Sequence, residues 1–63
     1  MSPAVTRIAP HLIEVVADGD VVGYVEIVET VYVALAGCRY DRAVEVGQAL
    51  DFDDAVGALV LAA

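Results

Sequence analysis

The sequence predicts an α+β domain, a small antiparallel β-meander of three or four strands followed by one C-terminal α-helix. Three observations carry that expectation. Asp18-Gly19 sits between two apolar, β-branched runs, a hairpin signal because a type I′ turn needs positive φ at both central residues. A third apolar run, Val31 to Ala36, follows closely after Glu29-Thr30. Behind Asp51, the residues Phe52, Ala55, Val56, Leu59, Val60 and Ala63 recur at helical spacing and form one apolar stripe.

Taken in order, residues 1–10 read as a flexible N-terminal arm, because Pro3 and Pro10 cannot donate to a ladder. Residues 11–63 read as a single ββ(β)βα domain. The first strand runs through His11 to Ala17 and the second through Val21 to Val28. A two-residue loop at Asp18-Gly19 fixes the register. Val16 then faces Val21, Val15 faces Val22, Ile13 faces Tyr24 and Leu12 faces Val25. Glu-Thr is poor type I′ chemistry, so the next turn is expected to be wider than two residues. Were it tight, Ile27 would face Tyr32, Glu26 would face Val33 and Tyr24 would face Leu35. Gly37 ends the third strand. Ala43 to Val46 alternates and supplies a candidate fourth strand that Gly47 ends. Asp51 is a good N-cap, and Asp53 and Asp54 suit the positive end of the helix dipole. Gly57 lies inside the helix, where it costs about 1 kcal/mol against Ala, which points to a close packing contact.

That register leaves both sheet faces apolar, whereas an antiparallel sheet with one wet face should alternate. The face with Ile13, Val15, Val22, Tyr24, Val33 and Leu35 carries the bulkier side chains and is the one the helix should cover. The other, shallow at Gly23 and Ala36, presents Val25, Ile27, Tyr32 and Ala34 as a candidate interface. A second sheet would pack there face to face in a two-fold homodimer.

Composition agrees with self-association. The chain has 63 residues, one domain's worth, and is 60% hydrophobic. A domain of that size buries only about 60% of the surface its unfolded chain exposes, so exposed apolar patches are expected to be interaction sites. Ten acidic residues stand against three arginines, with no lysine, for a net charge of −7. Such a chain repels a duplex, since nucleic-acid binders neutralise phosphates with cations; a basic protein is the electrostatically matched partner. The apolar runs are shorter than the roughly 20 residues of a membrane-spanning helix. The N-terminus lacks the apolar core of a secretion signal, and Cys38 is the sole cysteine. These features point to a reducing cytoplasm. Abundant Ala, Val, Gly and Asp without Lys suggest a GC-rich genome.

The side chains that carry chemistry are few. His11, the only histidine, would lie opposite Glu26 in this register, and reads as a surface residue at a strand start. Cys38 has Arg39 beside it, which favours a thiolate, but a lone cysteine reads first as a small buried hydrophobe. A structural zinc site wants about four Cys or His ligands. Asp51-Phe52-Asp53-Asp54 lacks the glycine and distal Glu of a calcium loop. The glycines have no phosphate-binding spacing. No enzyme activity, cofactor or metal is therefore expected. Arg39, Tyr40 and Arg42 cluster in one loop, and Tyr and Arg are favoured at binding hot spots.

The order strand, strand, strand, helix, with Phe52-Asp53-Asp54-Ala55 at the helix start, resembles the arm-type DNA-binding domains of tyrosine integrases. Those often read Phe-x-x-x-x-x-Ala in that place. The resemblance spans roughly residues 12 to 62 in outline. It implies a sheet that reads DNA with basic and aromatic residues; here the strands carry Val, Tyr and Glu instead. The chain also resembles short uncharacterised proteins of actinobacteria and their phages, for which an accessory role is implied. The function expected is a non-enzymatic protein–protein interaction module that self-associates. The alternative is a nucleic-acid-related protein, either an arm-domain relative or an acidic decoy that occupies a basic DNA-binding cleft.

The charge balance generates a first prediction. In a fluorescence-anisotropy titration at physiological salt, the protein shows no measurable affinity for duplex DNA. Binding at micromolar concentration or tighter would contradict it.

Overall fold

Turn chemistry sets the architecture. In the computed structural model, which describes residues 3–62, the chain forms β1 (Ala4–Ala9), β2 (Leu12–Ala17), β3 (Asp20–Val28), β4 (Val31–Ala36), β5 (Val44–Ala49) and helix α1 (Phe52–Ala62). The strands lie in chain order in one antiparallel sheet of five. Two-residue turns join the first four strands, at Pro10-His11, Asp18-Gly19 and Glu29-Thr30. Asp18 and Gly19 both take positive φ, 54° and 83°, as a type I′ turn requires. The turn at Glu29-Thr30 is tight rather than wide, and Glu29 itself adopts a φ of 57° to make it so. The β3–β4 pairs that a tight turn implies therefore form: Ile27 with Tyr32, Glu26 with Val33, and Tyr24 with Leu35.

The segment expected to be a flexible arm is a strand over Ala4–Ala9. Pro3 and Pro10 bracket β1 instead of interrupting it, and Val5, Thr6 and Ile8 are β-branched residues that favour extended backbone. Residues 1 and 2 of that expected arm lie outside the described residues. The sheet thus has five strands, not three or four. The last strand also runs longer than expected, through Gly47 to Ala49. Gly47 does not end it but brings the strand close to the helix, where a Cβ on Gly47 would stand 3.7 Å from Ala58 Cβ.

The largest departure from the expected register comes from one β-bulge. Val15 pairs with Gly23 and Val16 with Val21, so Val22 is an extra residue on β3. Beyond it every β2–β3 pair shifts: Ile13 faces Val25 and Leu12 faces Glu26. A one-residue slip moves a strand's side chains to the opposite face. Ile13 and Val15 therefore join Val25 on one face, while Leu12, Glu14 and Val16 join Tyr24 and Glu26 on the other.

The helix lies on the first of these faces. Its carboxylate cap is in place, with the Asp53 N–H donating to Asp51 Oδ1 at 3.1 Å. Ala55, Val56 and Leu59 are its buried stripe, while Val60 is exposed and Ala63 lies outside the described residues. With Ile13, Val15, Val25 and Ala34 they form the core. Val15, Val25 and Leu59 are its largest fully buried side chains, each worth about 1.5–3 kcal/mol of apolar transfer. The helix thus covers the face of small residues, not the bulkier one. The reason is close approach. A Cβ on Gly23 would overlap the Leu35 carbonyl oxygen and come within 2.7 Å of Leu59 Cδ2, so Leu59 occupies the notch that Gly23 leaves.

Two glycine substitutions test this packing in opposite directions. Gly23→Ala overfills the notch and destabilises the fold by about 1–3 kcal/mol. Gly57 makes no close contact, since a Cβ there meets no atom within 4 Å. Gly57→Ala therefore stabilises by up to about 1 kcal/mol through helix propensity. Urea titrations of both variants measure the two shifts.

Candidate functional site

Two surfaces carry residues that the fold leaves without an intramolecular partner: a groove beside the helix and the outward face of the sheet.

The groove arises because α1 packs over β3, β4 and β5 and only marginally reaches β2. β1 is exposed along its whole length. Between it and the helix runs an open groove in two adjoining basins. The first, about 310 Å³, is lined by Val5, Arg7, Ile13, Ile27, Tyr32 and Phe52. The second, about 550 Å³, continues from Val5 and Phe52 past Asp53 along the helix to Val56, Val60 and Leu61. Tyr32 and Phe52 meet edge to face at its junction, with ring centroids 5.9 Å apart. Val5 is 47% exposed and Leu61 89%. Arg7 sits at one end, its guanidinium donating to the Pro10 carbonyl.

The outward face is mixed rather than apolar. The bulge at Val22 places Glu14 on the same face as Glu26, and the β4–β5 pairing adds Glu45 and Gln48 beside Leu35 and Val33. Gln48 Nε2 donates to Glu45 Oε2 at 2.9 Å. Tyr24, only 6% exposed, is the anchor of this face. Its hydroxyl donates to the Cys38 carbonyl at 3.3 Å, and its ring meets Tyr40 edge to face at 5.8 Å. The β4–β5 connection therefore folds back over the sheet and is pinned there.

The residues singled out from sequence are thus dispersed. Val25 and Ala34, expected at an interface, are fully buried beneath the helix, which takes the place expected for a second sheet. Ile27 and Tyr32 survive as half-buried lining of the groove. Arg39, Tyr40 and Arg42 remain together in the β4–β5 connection, where a 3₁₀ turn spans Tyr40–Arg42. All three are exposed. Arg39 pairs with Asp41 at 3.4 Å, both of them solvated, so that pair contributes little. Tyr40 packs in a T-shaped pair with Tyr24 instead of standing free. His11 lies opposite Ile27, whose N–H donates to the His11 carbonyl at 2.8 Å; Glu26, its expected partner, pairs with Leu12. Cys38 is exposed, not buried.

No group of three His, Cys, Asp or Glu side chains among the described residues is placed to hold a metal ion. No helix among them is long and apolar enough to cross a membrane. No family model, curated protein or solved structure matches the chain at a significant level.

Sequence reasoning missed the groove because it treated residues 1–10 as an arm. One signal was present. Leu61 is a large apolar residue off the helix's core stripe, where a solvated helix face normally carries polar groups.

The tyrosine corner is directly testable. Tyr24→Phe removes the donor to the Cys38 carbonyl while keeping the ring, and should cost about 1 kcal/mol in chemical denaturation. A change below about 0.3 kcal/mol would mean that ring packing alone holds the connection down.

Proposed function

We propose that the chain is a non-enzymatic protein-interaction module that associates with a second copy of itself. The observation that supports this reading is the groove between β1 and α1, a largely apolar channel with Arg7 and Asp53 in its lining, which the chain's own helix does not cover. Exposed apolar patches of this kind, rimmed by polar residues, mark association surfaces. No histidine, cysteine or carboxylate set converges on the groove in a way that would carry acid–base or nucleophilic chemistry. An exposed lone Cys38 suits a reducing compartment such as the cytoplasm.

A second reading, an acidic module that engages a basic cleft, is favoured by the outward face, where Glu14 and Glu26 stand on adjacent strands and Glu45 lies two strands further on, on β5. Salt separates the two. Copies carrying a net charge of −7 repel each other, so added salt screens the repulsion and tightens self-association. A complex with a basic partner weakens under the same change.

The decisive measurement is light scattering coupled to size exclusion across a concentration series, at low and at high ionic strength. A dimer mass that appears at micromolar concentration and persists at 0.5 M salt, roughly the range in which screening is strong, is the expected result. A strictly monomeric protein at high micromolar concentration under both conditions overturns the proposal.

A further inference from the structure

We propose that the second copy docks on the free edge of β1, and that two meanders join there into one continuous antiparallel sheet with a two-fold axis at Thr6. This rests on the self-association proposed above and names its surface.

Three surfaces compete for that role, and charge separates them. Every acidic residue of the chain lies at Glu14 or beyond, and the only charge on β1 is Arg7. β1 is therefore the one edge whose own strand brings no carboxylate to a seam between two copies of a strongly acidic chain, and the one carboxylate that lines the adjoining groove, Asp53, shares that groove with the cation Arg7. The outward sheet face fails this test. Stacking it on its own copy would take Glu14 and Glu26, already half-buried, out of water with no cation among the strand residues of that face to pair them, which is expensive. The other edge, β5, carries Glu45, and its ladder is broken between the pairs Ala34–Gly47 and Leu35–Glu45, leaving Val46 as a bulge in mid-strand. Bulges and charges are the usual means of blunting an edge. β1 is much less protected. Its irregularity falls at Ile8, next to the turn, so Ala4 to Arg7 pairs regularly with β2. It contains no proline and no carboxylate.

The symmetry follows from strand geometry. In an antiparallel pair related by a two-fold axis, one residue must face its own copy. Thr6 stands midway between Ala4 and Ile8 and is exposed. With Thr6 on the axis, Val5 faces Arg7 of the second copy. Val5 and Arg7 both line the groove, so the two copies present the same face on the same side. Both helices then flank one seam, and the two grooves merge into one apolar trough above it. The floor of that trough is Val5 and Arg7 from each copy, and Val60 and Leu61, with the carboxylate Asp53, line its walls. The exposed apolar side chains nearest β1 are thereby drawn together by the backbone pairing itself.

The test uses disulfide trapping in a Cys38→Ser background, which removes the exposed native thiol. Residues directly opposite on an antiparallel pair have Cβ atoms about 4.5–5.5 Å apart, close to disulfide range. Under oxidised glutathione, the Thr6→Cys variant should form covalent dimer at least about tenfold faster than a Val44→Cys control on the β5 edge. In parallel, amide exchange of the unaltered protein should slow in β1 as concentration rises. If scattering shows a dimer but Thr6→Cys traps no faster than Val44→Cys, and β1 exchange is independent of concentration, self-association stands and the β1 edge is the wrong surface. If the unaltered protein is monomeric throughout, self-association itself fails, and this inference with it.

Discussion

The seating of Leu59 against Gly23 is the constraint on which the remaining structure depends. An 11-residue helix is about 16 Å long and, with its side chains, about 10 Å wide. Five strands at about 4.8 Å spacing span roughly twice that width. One helix cannot cover such a sheet, so where it sits decides what is left bare. It sits where backbone can approach backbone. Gly23, Ala34 and Gly47 present almost no side chain on β3, β4 and β5, and Ala55 and Ala58 answer them from the helix. Over these small residues Leu59 is the large fully buried side chain of the helix, and it is accommodated because Gly23 has none. The helix is thus held over the C-terminal half of the sheet, and β1 is left outside its reach.

The bulge at Val22 does the complementary work on the sheet. Without it, the period-two alternation would place Glu14 and Glu26 on opposite faces, and one carboxylate would point toward the helix. With one extra residue in β3, both turn outward, and the sheet face beneath the helix is left without a carboxylate. No buried polar side-chain atom is left without a partner among the described residues. A single local irregularity therefore converts a sheet that reads as greasy on both sides into one with a core face and a mixed, acidic outer face. The tyrosine corner depends on the same arrangement, since Tyr24 shares the outer face with the β4–β5 connection that Tyr40 pins to it.

What was legible in the sequence divides along physical lines. The Asp18-Gly19 hairpin, the Asp51 cap and the Phe52, Ala55, Val56 and Leu59 part of the helical stripe follow from local rules of turn, cap and period, and each is found in place, whereas the tight β3–β4 turn needs a positive φ at Glu29 that Glu-Thr does not announce. The errors came from features that local rules do not price. A bulge has no strong sequence mark when the run around it is Val-Val-Gly, so the β2 side chains were assigned to the wrong face. From that error followed the placement of Val25 and Ala34 at an interface and of the helix on the bulkier face. The helix follows shape, not bulk, because close packing rewards complementarity at van der Waals distance, and side-chain size alone does not reveal it. Pro3 and Pro10 read as strand breakers in the sequence, yet they lie just outside β1 and leave its ladder intact. The candidate site inherited both errors: Ile27 and Tyr32 were recognised, while Val5, Phe52 and Leu61, which complete the groove, were not.

The two sheet edges explain why a chain so rich in exposed strand need not aggregate without limit. An open sheet with two equivalent edges would add copies indefinitely, since each new copy offers a fresh edge. Here the edges are unlike. β5 is interrupted in mid-strand and carries Glu45, so its pairing with another β5 would set like charges against each other across a broken ladder. Pairing of β5 with β1 would still have to absorb the same interruption. Only β1 against β1 joins two regular, carboxylate-free segments, and that contact uses up both favourable edges at once. What remains at the ends of the joined sheet is two copies of the blunted edge. The asymmetry between a regular first strand and a bulged last one therefore favours closure at two copies over continued growth, with the net negative charge opposing further addition.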